Sequence, residues 1–433
     1  MSLAGGWVRA PRGAQTAIPV GIDALGVAIP RRYLDLEDLA RARGVEPAKY
    51  THGLGAREMA VAEPGEDTVS LAAAAARRAL EIARLDPHAL GMLVVGTETG
   101  VDHAKPVASF VHGLLDLPRA MRVYDTQHAC YGGTAGLMSA VEWIASGAAA
   151  GRSALVICAD VARYGVATAG EPTQGAGAVA MVVSAHPALL ELDVGVAGAA
   201  SAHVHDFWRP LGHREAQVDG HYSVECYLDA VATAYRGWKA RAIARELVRG
   251  DAPPSEQLAA ICYHVPFCKM AKKAHVRVRR CDLEDATAPW DVSTEELRAA
   301  TSFQLQVEPS LGLCARIGNV YTGSLYLGLA GLLHARGAEL SRRRIGLFSY
   351  GSGCTSEFFS GVIGPRANER IAAAGLDELL AARERISIDE YHRIMALGPG
   401  APLGEPPSSG GPGSPGGFRF VGVEANRRRY ERT

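Results

Sequence analysis

The feature that most constrains this chain is an alternation. Short, wholly apolar runs take turns with longer stretches of helical periodicity. Residues 91–96 (GMLVVG), 153–158 (SALVIC), 178–183 (AVAMVV), 258–263 (LAAICY) and 345–350 (IGLFSY) read as buried strands bounded by Gly, Asp, His or Ser. Residues 68–82, rich in Ala and Leu, read as a helix. So do residues 132–146, where Leu137, Val141 and Ile144 share one face at helical spacing. Strands alternating with helices predict an α/β fold with largely parallel sheets. The stretch after Cys130, TAGLMSAVEWIASGAAA, is apolar nearly all round, so its helix is buried on most sides. The segment after Asn319, VYTGSLYLGLAGLL, repeats that profile and a similar Tyr-small-small start, which points to an internal duplication.

Size and charge narrow the function classes. The 433 residues amount to about two to four domain equivalents. Lys and Arg number 45 against 46 Asp and Glu, a formal net charge of −1, so nothing marks a nucleic-acid binder or an anionic-membrane binder. No run of about 18 apolar residues lacks a charge or a turn signal, so no bilayer span is expected. The cysteines (130, 158, 226, 262, 268, 281, 314 and 354) are scattered without a CxxC pair. They form neither a disulfide framework nor a zinc site and fit a reducing, cytoplasmic setting. Residues 1–16 read as a disordered extension without the apolar core of a signal peptide. Residues 398–417, dominated by Gly and Pro, read as a flexible loop. Beyond them, residues 418–433 read as a strand (FRFVGV) that docks back, then a solvated basic tail (RRRYERT).

Ligands and catalysis in α/β proteins gather at the carboxyl ends of strands. Here Glu98 follows GMLVVGT, Asp160 follows SALVICA, His264 follows LAAICY and Ser352 follows IGLFSYG, while Cys130 and Asn319 each precede a buried helix. At a helix start the dipole and free N–H groups favour a thiolate, so Cys130 in DTQHACYGGTAG is a candidate nucleophile. Glu98 suits a general base if burial raises its pKa. His264 suits a hydrogen-bond donor to a thioester oxygen, or an acid. Lys269 and Lys273, four residues apart, could meet the phosphates of a nucleotide-like ligand. On local pattern alone, a surface acid, a satisfied core histidine and a solvated lysine face stay open for these positions. His203 and His205 lack a third ligand nearby and make a poor metal site, so no metal is expected.

Together the segments DTQHACYGGTAG, VGTETGVDHAKP, ARYGVATAGEPTQGAGAVAM, DFWRP, YHVPFCKMAKKAH, GNVYTGSLY and FSYGSG resemble the hydroxymethylglutaryl-CoA synthases of the thiolase superfamily. The match runs in order from about residue 22 to about residue 361, with a looser one at GFRFVGVEANRRRY. It implies a thiolase-like fold of two pseudo-duplicated βαβ halves, residues 17–190 and 191–397, in α-β-α-β-α layers. It implies that acetyl-CoA and acetoacetyl-CoA condense to HMG-CoA through an acetyl thioester on Cys130. Glu98 would be the base and His264 would hold the second substrate. Asn319 and Ser352 would line the acyl pocket, Phe207 would be its aromatic wall, and Thr173, Ser223, Lys269 and Lys273 would contact CoA or product. Tyr131 and Asp206 are weaker candidates. No cofactor beyond the CoA thioesters is implied, and a homodimer serving the mevalonate pathway is. Two places depart from the family pattern: GVEPAKY at residues 44–50, and Cys354 after the Gly-Ser-Gly loop. Ketoacyl synthases lack an equivalent of Glu98, and thiolases use a second cysteine as base. The rival reading is a polyketide β-branching homologue acting on carrier-protein thioesters. A non-catalytic acyl-CoA binder would have lost Cys130, Glu98 or His264, and all are present.

Overall fold

A computed structural model describes residues 18–213, 215–284, 292–397 and 417–433. The extension at 1–16, and all of the Gly/Pro-rich segment except Gly417, lie outside the described residues. The main strands are β1 (Gly21–Ala28), β2 (Leu90–Gly96), β3 (Arg122–Thr126), β4 (Ser153–Ala162), β5 (Gly175–Ser184), β6 (Leu190–Leu192), β7 (Gly198–Ser201), β8 (Ala260–Tyr263), β9 (Arg344–Gly351) and β10 (Thr355–Ile363). They form one sheet in the order β8-β9-β10-β6-β1-β5-β4-β2-β3, with β7 paired to β10. The helices that shape it are α1 (Thr68–Ala83), α2 (Gly132–Ala145), α3 (Gly220–Ala244), α4 (Lys269–Leu283) and α5 (Ser324–Leu340).

The duplication expected from the two apolar helices is visible in the topology. In the first half β2 and β4 pair in parallel, with α2 between them in the chain, and β4 then pairs antiparallel with β5. In the second half β8 and β9 pair in parallel, with α5 between them, and β9 pairs antiparallel with β10. Helix α1 packs on β1 and β5 as α3 packs on β7 and β10. The short strand β6 pairs with β1 on one side and β10 on the other, joining both halves. Across the middle, Thr134 of α2 and Tyr326 of α5 bring their hydroxyls to 2.7 Å. This layered, thiolase-like arrangement explains why both helices are apolar all round: each lies inside the molecule.

Two expectations need correction. The sheet is mixed rather than largely parallel. Parallel pairing occurs at β2–β3, β2–β4 and β8–β9, and the other pairs of this sheet are antiparallel. A strand reached through a crossover helix runs parallel to its predecessor; one reached through a loop turns back. Apolar runs show neither case. The basic C-terminus is also not a solvated tail. Phe418–Glu424 (β11) and Arg427–Arg432 (β12) form a hairpin that docks on the start of α1. There Arg428 Nη2 and Tyr430 Oη lie 2.7 Å from Asp67 Oδ2, and the Arg428 guanidinium covers the Phe420 ring at 3.9 Å. Asp67 is also the N-cap of α1, so one carboxylate holds both a helix and the chain end. Among the described residues no helix is long and apolar enough to cross a membrane.

Candidate active site

The centre of the site is set by two glycines. A Cβ on Gly96, at the end of β2, would lie 2.3 Å from Gly133 Cα in the first turn of α2. Bare backbone at both positions lets the strand end touch the helix start, and this brings the following Glu98 to the preceding Cys130. The thiol donates to Glu98 Oε1 at 3.2 Å. Ala129, just before the thiol, has φ of +40°, a left-handed conformation that costs a non-glycine residue of order 1 kcal/mol. The turn into the helix is therefore tight, with Tyr131 N–H donating to His128 O at 3.0 Å.

Beneath the pair lies Asp160, fully buried in β4. It accepts from the backbone N–H groups of Glu98, Thr99 and Thr322 and from the hydroxyls of Thr97, Thr99 and Thr322, at 2.5–3.0 Å. The sequence marked Asp160 as a strand-end acid without a role. The structure makes it the tie between the Glu98 turn and the turn that follows Asn319 in the other half.

The electrostatics overturn one expectation. Burial, then the nearby Asp160 charge, push the Glu98 carboxyl up to about 8. Burial and Glu98 itself push the Cys130 thiol up as well, so the resting sulfur is protonated rather than a thiolate. A helix N-terminus contributes about 0.3–1 kcal/mol to an anion, and up to about 2 in partly buried geometry. That is less than the cost of placing a second anion beside a buried carboxylate. A carboxyl with a pKa near 8 that accepts from a thiol is placed to take that thiol's proton.

Three further groups face the same cavity, of about 210 Å³. His264, at the end of β8, has its backbone clamped: its N–H donates to Phe348 O at 2.7 Å and its carbonyl accepts from Tyr227 Oη at 2.7 Å. Burial lowers its pKa to about 3, so the imidazole is neutral at physiological pH and is able to donate one hydrogen bond without being a cationic acid. Asn319 Oδ1 accepts from Tyr321 N–H and Ser324 Oγ, both at 2.9 Å, which leaves its amide nitrogen as a donor to the cavity. Phe207 stacks edge-on against Tyr164 and Tyr321, with ring centres 6.3 and 5.9 Å away, as an aromatic wall beside Cys130.

Thr173, Ser223 and Ser352 also line this cavity. Lys269 does not; it borders a neighbouring cavity with Arg57 and Lys272, and Lys273 lines neither. Tyr131 turns away to donate to Glu357 Oε2 at 3.0 Å. Asp206 is buried and accepts from Tyr350 Oη at 2.6 Å and Gly353 N–H at 2.9 Å, which fixes the Gly-Ser-Gly loop carrying Ser352. Cys354, without a role in the sequence, exchanges backbone hydrogen bonds with Ala202 beside that loop. The His203 and His205 rings stand 5.2 Å apart, and among the described residues no cluster of three or more His, Cys, Asp or Glu could hold a metal ion. Sequence reasoning missed Tyr164, Tyr321 and Arg209, whose guanidinium contacts the Glu98 carbonyl. All lie inside the recognised segments, yet no periodicity marks an aromatic as pocket wall rather than core.

Family models, curated relatives and solved structures show what the whole chain is similar to. The model described as hydroxymethylglutaryl-coenzyme A synthase N terminal matches residues 17–188, and its C-terminal counterpart matches 190–301 and 281–400. The chain is 36% identical over 377 residues to hydroxymethylglutaryl-CoA synthase of Enterococcus faecalis, covering 87% of this chain and 91% of that protein. It is 33% identical over 389 residues to the polyketide biosynthesis 3-hydroxy-3-methylglutaryl-ACP synthase PksG of Bacillus subtilis (strain 168), covering 87% and 88%. A solved structure of MvaS in complex with 3-hydroxy-3-methylglutaryl coenzyme A superposes with a TM-score of 0.91 at 62% identity, covering 96% of this chain and 99% of that one.

Proposed function

Because the chain belongs to the hydroxymethylglutaryl-coenzyme A synthase family, we propose how its residues divide the work of that reaction. The enzyme condenses acetyl-CoA with acetoacetyl-CoA and water to give HMG-CoA and free CoA. In the first step Cys130 Sγ attacks the acetyl carbonyl while Glu98 takes the thiol proton, and CoA leaves as its thiol. In the second, Glu98, returned to its carboxylate, takes a proton from the methyl group of acetyl-Cys130. The resulting enolate forms a carbon–carbon bond with the ketone carbon of acetoacetyl-CoA, whose C=O π bond opens to an alkoxide that takes up the proton held by Glu98 and becomes the 3-hydroxyl. The neutral imidazole of His264 and the amide of Asn319 donate to the oxygen on which charge develops. Water then cleaves the Cys130 thioester and restores the thiol. A well-aimed donor of this kind is worth about 2.7–4 kcal/mol, and general-base help about 10²–10⁴-fold.

The observation that carries this reading is the 3.2 Å contact of thiol and raised-pKa carboxylate at a cavity shared with His264 and Asn319. In the same reading Thr173, Ser223 and Ser352 contact the acyl chain or its pantetheine arm. Lys269 meets CoA phosphates at the rim, and Lys273 reinforces the positive field from the same helix. Free CoA thioesters are the substrates and the product feeds the mevalonate pathway. The HMG-CoA held by the 62%-identical structure supports this choice over carrier-protein thioesters. The cytoplasm is the proposed compartment, in keeping with the free thiols. The proposed homodimer would cover the outer edge of β3, which pairs with no strand among the described residues.

The test is sequential. Acetyl-CoA alone should add one acetyl group to the Cys130 peptide, seen by mass spectrometry, and later addition of acetoacetyl-CoA should release HMG-CoA. Cys130→Ala should accept no acetyl group. Glu98→Ala should be acetylated slowly and fail to condense; condensation at the wild-type rate would show that another group is the base. Turnover of acetyl-carrier protein but not of acetyl-CoA would replace this reading with the polyketide one.

A further inference from the structure

A buried ion pair lies behind the pocket wall and takes no part in the steps above. Glu171, with a side chain 1% exposed, receives the guanidinium of Arg43 side-on, Nε to Oε2 at 2.8 Å and Nη2 to Oε1 at 2.7 Å. His392 Nε2 accepts from the same Arg43 Nη2 at 2.9 Å. Tyr391 Oη donates to Glu171 Oε1 at 3.0 Å and accepts from Gln174 Nε2 at 2.8 Å. Gln174 Oε1 in turn accepts Tyr164 N–H at 2.8 Å, and Glu171 Oε2 accepts Ala167 N–H at 3.0 Å. Two distant parts of the chain, Arg43 and Tyr391, therefore hold one loop, residues 163–174, through Glu171 and Gln174, while Gln174 ties the end of the loop to its start at Tyr164.

That loop builds the reaction chamber. Tyr164, Gly170 and Thr173 line the cavity that holds Cys130. The Thr173 carbonyl accepts Asn319 N–H at 3.2 Å, so the loop also sets the position of the Asn319 turn. A Cβ on Gly318 would lie 1.9 Å from Gln174 O, so the two segments are in direct backbone contact. A buried ion pair is a poor stabiliser, because desolvating two charges offsets most of their attraction. Its bidentate geometry instead fixes direction.

We propose that Glu171, clamped by Arg43 and Tyr391, is a positioning residue that aligns the pocket wall and the Asn319 amide for the carbon–carbon bond-forming step. The inference rests on the role given above to Asn319 in the condensation. Glu98 and Cys130 stand in the turns that follow β2 and precede α2, outside the clamped loop, so acetylation depends less on this clamp. Misplacing a reacting group by about 1 Å can cost about 10²-fold.

Tyr391→Phe and Glu171→Gln keep the shapes and remove one bond and one charge respectively. Each should lower the condensation rate by about ten- to a hundred-fold, and acetylation of Cys130 by much less, when the two steps are measured separately. Glu171→Ala removes every acceptor that faces Arg43 from Glu171, where Gln keeps an amide oxygen, and is expected to destabilise the fold most strongly. The double variant Arg43→Met/Glu171→Met removes both charges and should keep the wild-type melting temperature while condensation stays slow. Condensation restored along with stability in that double variant would overturn the proposal and reduce the pair to a structural one. An equal fall of both steps in Tyr391→Phe would overturn it too. Failure of the wild-type protein itself to make HMG-CoA would instead sink the function proposed above, and this inference with it.

Discussion

At the residue scale, the chemistry turns on which group holds the proton. Position alone argued for a thiolate at Cys130. Burial and the adjacent carboxylate reverse that, and place the titrating group at Glu98 with a pKa of about 8. His264, held near 3, does not change charge between pH 5 and 9. In the proposed scheme the acid limb of activity belongs to Glu98 and its thiol partner as a coupled unit. As a base it works only when ionised, so kcat/KM for acetyl-CoA should rise with pH through about 8. Well below that pH the rate should change by about ten-fold per pH unit. Glu98→Gln should be slow at every pH and lose that dependence. A wild-type profile flat from pH 6 to 9 would contradict the assignment.

At the element scale, the site exists because β2 and α2 approach at bare backbone. Gly96→Ala puts a methyl group 2.3 Å from Gly133 Cα, and the segments must part. We expect a loss of about 1–3 kcal/mol in stability from overpacking and a loss of about 10²-fold or more in condensation. Thermal melting and the HMG-CoA assay read the two separately. The C-terminal hairpin makes a second test. Arg428→Ala removes a charged hydrogen bond to Asp67 and the cover over Phe420, so it should cost about 1.5–3 kcal/mol and lower the melting temperature without changing kcat. Much of this was legible beforehand. Strands β2, β4, β5, β8 and β9 and helices α1 and α2 announce themselves, because burial writes apolar runs and helical spacing into consecutive residues. Strand direction did not, because it depends on how the chain returns. The basic tail was misread because Asp67, its partner, lies 361 residues away. Cys130, Glu98, His264 and Asn319 were readable because each stands at a strand end or helix start. The clamp on Glu171 was not, since its members look like ordinary surface acid, arginine and tyrosine.

For the whole molecule, the same burial that makes the site reactive shapes stability against pH. Glu98 and Glu66 have folded-state pKa values raised from 4.5 to about 8 and about 7. Between 4.5 and those values the folded chain keeps protons that the unfolded chain has released, so each group makes stability fall as pH rises. His264 and His275 are lowered from 6.5 to about 3. Between 3 and 6.5 the unfolded chain binds protons that the folded chain refuses, so each makes stability rise with pH. Each group contributes at most about 1.4 kcal/mol per pH unit within its window. The opposing slopes cancel from about 4.5 to 6.5, where these groups leave stability level. Below that range the two histidines dominate this set and favour unfolding towards acid; above it the two carboxylates dominate and their contribution falls until about pH 8. Glu98 must nevertheless ionise to act as base, so activity rises where stability declines. Denaturant unfolding from pH 6.5 to 9 should show a falling limb, and Glu98→Gln should make that limb shallower while abolishing condensation. If Glu98→Gln left the limb between pH 6.5 and 8 as steep as in the wild-type protein, the carboxylate would be ionised in the resting enzyme, and the proton-transfer scheme built on its burial would fail.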